Sequence, residues 1–219
     1  MTPELANRSL DIAAAGMVAL GVWLAAIRSL DLGTGVLAAQ SVLLGLAAIA
    51  IGLSRGSGEL LLGGALTIGI RAVVLPMVIL RLLRTSAVRH ERQPYLGRRA
   101  STLAAIVLVF VAAIAVGDAA GLPGETSARA LPAAMAEVLT GLLLIATRRK
   151  SLSMVIGLLV FENGITLAAL AMTAGMPLVM ELGATFDLLV VMVVVQVHAR
   201  RMLATMGTLS TDELRNLRG

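Results

Sequence analysis

The chain has no cysteine and only two histidines, His90 and His198. Lack of cysteine excludes thiolate-held iron–sulfur clusters, cysteine-ligated zinc and any disulfide framework. Both histidines fall at charged, solvated places, so neither reads as a haem or metal ligand. No cofactor and no metal is expected on this chain, and any electrons moving in its assembly travel on another one. Aromatics are scarce as well. One tryptophan and one tyrosine leave no material for the aromatic belts that usually fix helices at the two membrane interfaces. Charge is thin, at 14% of residues. The first ten residues hold Glu4 and Arg8, and Asp11 opens the first apolar run. That is unlike the basic start of a cleavable signal, so the first span is expected to stay in place.

What the chain has is apolar length. Hydrophobic residues make up 58% of its 219 positions, and the mean hydropathy is +0.93. No soluble fold of this size hides so much apolar surface, so the fold class is all-α, a polytopic integral membrane protein. Short clusters of Gly, Pro and charge separate the apolar runs. They predict seven helices, at 10–28, 34–54, 59–81, 101–120, 131–147, 152–174 and 179–200. In the second helix Gln40 and Ser41 are the polar interior residues, and they read as helix–helix glue. In the third, Ala65 and Gly69 form a small-xxx-small pair suited to close packing. Pro76 is expected to bend that helix and free a carbonyl one turn earlier.

The net charge of +5 and a pI near 11.2 do not require nucleic acid as a partner. Placing the long loop around 82–100 in the cytoplasm puts fourteen of the eighteen Lys and Arg residues inside. Only Arg8, Arg55 and Arg129 then lie outside, and Arg71 falls within the bilayer. This positive-inside bias predicts an external N-terminus and a cytoplasmic C-terminus, which needs an odd number of spans. The tail GTLSTDELRNLRG carries a capping-box pattern, Ser210 with Glu213, and reads as a short cytoplasmic helix that docks to a partner.

Four ionisable residues fall near the middle of their spans: Arg71 in the third helix, Glu137 in the fifth, Glu162 in the sixth and Asp187 in the seventh. A charge at the bilayer centre costs about 2.5–3.5 kcal/mol on insertion-based scales. Chains keep such residues for a partner, a cavity or a proton path. Three carboxylates and one arginine at one depth can form a water-linked row across the membrane plane. The bland alternatives are a protonated Glu162 hydrogen-bonded to a neighbouring helix and a structural ion pair for Arg71, whose charge is hard to remove. Glu181 and Asp118 lie nearer the outer ends and read as solvated or snorkelling carboxylates.

Four segments carry a resemblance: IRAVVLP, FENGITLAALA, ELGATFDLLVVMVVV with its following HARRM, and GTLSTDELRNLRG. Together they resemble the E-type membrane subunit of hydrogenase 4 and related formate hydrogenlyase complexes, over nearly the whole chain. From about Leu131 the chain also resembles the K-type subunit of NADH:quinone oxidoreductase (respiratory complex I) and the matching subunit of multisubunit cation/proton antiporters. The resemblance implies a four-helix part at 1–130, a K-like three-helix part at 131–206 and a cytoplasmic tail at 207–219. It implies a proton pathway through Glu162 and a second carboxylate, Asp187 by depth or Glu181 by residue type, with depth favoured. Glu137 sits where polarity is expected. The family often shows lysine where Arg71 stands, and arginine's permanent charge implies an electrostatic role there. The implied setting is the cytoplasmic (inner) membrane of a bacterium or archaeon. The implied partners are antiporter-like and quinone-site-like membrane subunits and a peripheral iron–sulfur, hydrogenase-like arm. The function so implied is that of a non-catalytic subunit coupling proton or sodium movement to redox chemistry in other chains. Two alternatives stay open: a subunit of a cation/proton antiporter, and a structural spacer in the membrane arm.

Overall fold

The computed structural model describes residues 2–85, 95–117, 130–149, 151–173 and 192. The elements are α1 (Pro3–Ala26), α2 (Leu30–Arg55), α3 (Gly58–Leu66), a π-helical segment (Thr67–Val74), α4 (Leu75–Thr85), α5 (Arg98–Gly117), α6 (Ala130–Thr147) and α7 (Ser151–Thr173). Six helical stretches among the described residues are long and apolar enough to cross a membrane, with α3, the π segment and α4 running end to end as the third. The protein is an all-α, polytopic membrane protein. The expected seventh span, 179–200, lies outside the described residues except for Met192, which is helical and buried against the core. The tail lies outside them too.

Helix ends follow local chemistry. The first helix begins at Pro3, a full two turns before the expected start, because proline fits the first helical position and Glu4 pairs with Arg8 one turn on. That exposed pair (3.3 Å) adds little stability. Between α2 and α3 the chain reverses at Gly56, whose φ of 66° is the left-handed conformation that glycine adopts freely. Ser57 then caps α3, its hydroxyl accepting from the Leu60 N–H.

The third span bends less simply than Pro76 alone predicts. Its centre widens into a π-helix that ends at Val74, with the Leu75 N–H reaching back five residues to the Ile70 carbonyl. Pro76 cannot donate a hydrogen bond, and its ring would strike the Ala72 carbonyl in a regular α-helix. Widening the preceding turns relieves that contact, and such wide turns favour functional positions. Arg71 lies inside this segment.

Glycines set the tightest helix contacts. Between α6 and α7, a Cβ on Gly164 would stand 2.7 Å from the Val138 nitrogen, and one on Gly157 2.9 Å from the Ile145 nitrogen. Gly141 meets the Phe161 backbone in the same way. The third span approaches α2 through Gly64, where a Cβ would lie 2.7 Å from the Gly45 carbonyl oxygen. The expected Ala65–Gly69 pair is a correction: both face outward, and Gly69 has open space around it. A helix apolar on every side gives no periodic signal for which small residues face inward.

Buried apolar residues fall into two clusters, one toward each end of the bundle. One takes Leu24–Leu37, Leu75–Leu83, Leu144 and Val155–Val160; the other takes Ala6–Met17, Leu44–Ile51, Ala130, Ala134 and Leu167–Ala171. Along α2, α6 and α7 most buried polar residues lie between them, Gln40, Ser41, Glu137, Thr140, Asn163 and Thr166, while Thr34, Thr147 and Ser153 lie within or beside the first cluster. Arg71 and Thr67 precede the first cluster's stretch of the third span. A polar belt thus separates two mainly apolar layers.

Cations gather at one end. The Arg148 guanidinium donates to the Leu24 carbonyl (3.1 Å), closing the C-terminus of α1, and Arg28 donates to the Leu96 carbonyl (2.8 Å). Nearby the Tyr95 N–H donates to the Thr147 carbonyl (3.0 Å), and Arg149 sits 4.4 Å over the Tyr95 ring. These contacts tie three inter-helix connections together, with arginine doing the anchoring that aromatic belts do elsewhere.

Candidate functional site

The site is built from the belt. Arg71 is 3% exposed, and its Nη2 lies 2.5 Å from Glu162 Oε1. Its Nη1 donates to Thr166 Oγ1 (3.1 Å), which donates onward to the Glu162 carbonyl (3.0 Å). Glu162 and Thr166 stand one turn apart on α7, so one guanidinium spans both. This answers the demand of a mid-membrane arginine for a fixed counter-charge.

Glu137, 1% exposed, is held separately. Its Oε2 accepts from Gln40 Nε2 at 3.0 Å, and the same amide donates to the Met17 carbonyl (3.1 Å). Opposite stands Gly21, where a Cβ would lie 2.6 Å from Glu137 Oε1. Only glycine leaves room for the carboxylate against α1. Gln40 Oε1 is buried and accepts no hydrogen bond among the described residues.

The next residue of α2 joins the two halves. Ser41 Oγ accepts from Asn163 Nδ2 (3.4 Å) and donates to the Leu37 carbonyl (3.1 Å). Asn163 follows Glu162, and Ser41 follows Gln40, so α2 reaches both carboxylate sites from adjacent positions. The α6–α7 contacts set Val138 against Gly164 and Gly141 against Phe161. In that antiparallel register Glu137 and Glu162 differ in depth by about three residues, ~4.5 Å.

Of the residues singled out in the sequence, the structure therefore brings Arg71 and Glu162 into contact and sets Glu137 near their level with a different partner. Asp187, Glu181 and Asp118 lie outside the described residues. Gln40 and Ser41 join helices as expected, Gln40 tying α2 to α1 and to Glu137 of α6 and Ser41 tying it to Asn163 of α7. Their signal was in the sequence, as polar neighbours at mid-span, but spacing gives depth and not facing.

No protein-family model matches the chain, and no solved structure matches it. Over 209 residues, 95% of each chain, it is 32% identical to the uncharacterized protein Rv0085 of Mycobacterium tuberculosis. The chain belongs to that protein's family. It is also 27% identical over 206 residues to Hydrogenase-4 component E of Escherichia coli K12, covering 93% of this chain and 94% of that one. The same figures hold for Hydrogenase-4 component E of Shigella flexneri. At that identity over nearly full length, component E is a distant relative.

Proposed function

We propose that the chain is a non-catalytic membrane subunit of a hydrogenase-like or formate hydrogenlyase-like complex, and that its polar belt carries protons driven by redox chemistry in other subunits. The observation that carries the reading is the buried Arg71–Glu162 pair, set with Glu137 between two apolar clusters. Similarity to Hydrogenase-4 component E supports the assembly. On this reading Arg71 tunes Glu162 electrostatically. Glu162 and Asp187 exchange the proton, and Glu137 with Gln40 extends the row. Seven spans with the arginine-rich end in the cytoplasm satisfy the positive-inside bias. The 131–206 part then acts as a K-like module beside antiporter-like and quinone-site-like chains.

The test is Glu162→Gln in the intact complex, in inverted membrane vesicles. The variant is expected to assemble and to lose or slow proton uptake during redox turnover. Wild-type coupling would refute the reading. Ion exchange without any electron donor would instead identify an antiporter subunit. A spacer is the second reading, favoured by the way Thr166 and Glu162 satisfy Arg71 within the fold. It requires that neutralising Glu137, Glu162 and Asp187 together alter stability alone.

A further inference from the structure

Glu59, Gly63, Thr67 and Arg71 recur every four residues along the third span and so share one face. Leu170, Thr166 and Glu162 do the same along α7. The two stripes face each other across a narrow cavity whose polar wall is Glu59, Thr67 and Thr166 and whose remaining wall is mostly apolar, with Leu44, Leu60 and Leu170 in it. Its open end is at Glu59, which is exposed in the first turn of α3. Its closed end is at Thr166, the hydroxyl that holds Arg71. There is about 10 Å³ for the centre of a water, close to what one molecule needs when polar partners are present. Twelve residues separate Glu59 from Arg71, ~18 Å of helix. That is little more than half of a ~30 Å hydrocarbon core.

We infer that this cavity is the one-water neck of a half-channel by which protons pass between the membrane surface at Glu59 and the Arg71–Glu162 pair, which lies just beyond Thr166. Gly63 lines the cavity without a side chain to fill it, while Gly64 brings the third span close against α2. Glu59 exchanges a proton with bulk water. Cavity water and the hydroxyls of Thr67 and Thr166 relay it, each oxygen releasing one proton as it takes the next; the last transfer requires the Thr166 hydroxyl to turn from the Glu162 carbonyl to the Glu162 carboxylate, the inner terminus. Among the described residues the route needs no metal and no redox step. It rests on the proton-transfer reading of the belt for its purpose, but its hydration is measured independently.

Because the chain has no native cysteine, an introduced thiol reports on one position. Thr67→Cys and Ala47→Cys are compared in the intact complex in lipid nanodiscs, under pulsed X-ray generation of hydroxyl radicals from water. Thiol oxidation on this chain is read by mass spectrometry. Ala47 is buried in the apolar cluster next to Ala48 and does not line the cavity. Oxidation is expected to be severalfold faster at Thr67→Cys, and adding Gly63→Val is expected to bring it down to the Ala47→Cys rate. Equal, slow oxidation at both positions would overturn the route. Glu59→Gln is expected to slow redox-coupled proton transfer severalfold with hydration at 67 unchanged, and unaltered transfer would remove Glu59 from the route. A dry position 67 with pumping lost in Glu162→Gln would overturn the route alone. A hydrated one with wild-type pumping in that variant would overturn the proton-transfer reading and the channel's purpose with it.

Discussion

If Arg71 and Glu162 form one buried unit, removing either alone should cost far more than removing both. Arg71 is 3% exposed and the Glu162 side chain 14%, so water cannot replace a lost partner for the arginine. Glu162→Leu leaves the guanidinium with the Thr166 hydroxyl as its remaining bond in the pair, and stranding a buried charge in this way costs about 3–5 kcal/mol. Insertion scales give a lower figure, about 2.5–3.5 kcal/mol for a charge at the bilayer centre. Arg71→Met strands the carboxylate at a similar cost. The double variant buries only apolar volume, and such replacements run from neutral to stabilising by about 1–4 kcal/mol. The coupling energy is therefore expected to be at least ~3 kcal/mol. Reversible unfolding in mixed micelles, followed by the fluorescence of Trp23 in α1 and analysed as a double-variant cycle, measures it. Additivity to within ~0.5 kcal/mol would show two independent groups, each satisfied elsewhere, and would refute the pairing.

Two further outcomes test the belt and the helix contacts. Gly21→Ala drives a methyl to 2.6 Å from Glu137 Oε1, so the carboxylate must shift away from Gln40. The expected loss is about 1–3 kcal/mol, seen as a lowered unfolding midpoint, and it should vanish in a Glu137→Ala background. Gly164→Val collides with the Val138 backbone and forces α6 and α7 apart. Overpacking of this kind costs about 1–3 kcal/mol, whereas Gly69→Val, with open space around the site, should leave the midpoint unchanged.

Much of this was legible in the sequence because a bilayer punishes exceptions. Apolar length alone placed the six described spans to within a few residues, apart from α1, where Pro3 and the Glu4–Arg8 pair extend the helix outward. A mid-span arginine called for a carboxylate, carbonyls or water, and in the structure it meets the Glu162 carboxylate. Facing was not legible. Spans apolar on all sides carry no periodic stripe, so Ala65 and Gly69 looked as suitable for packing as Gly64 does in fact. The same gap left open which helices Gln40 and Ser41 would join, which depends on where α2 turns its polar edge. The π-helical turns were also beyond reach, because Pro76 signals relief of a clash without saying whether the chain bends or widens.

The two apolar clusters also fix where electrical work is done. Each is a low-dielectric slab, one of them interrupted by the narrow cavity beside Glu59, and a membrane potential falls mainly across such slabs and hardly within a polar layer between them. A charge moved from Glu162 to Glu137 travels nearly parallel to the membrane, so that transfer is close to electrically silent. Work against the potential, ~2.3 kcal/mol per charge per 100 mV for a full crossing, is divided between entry through one slab and exit through the other. On the proton-transfer reading proposed above, redox energy spent in a neighbouring subunit need only open and close those two crossings.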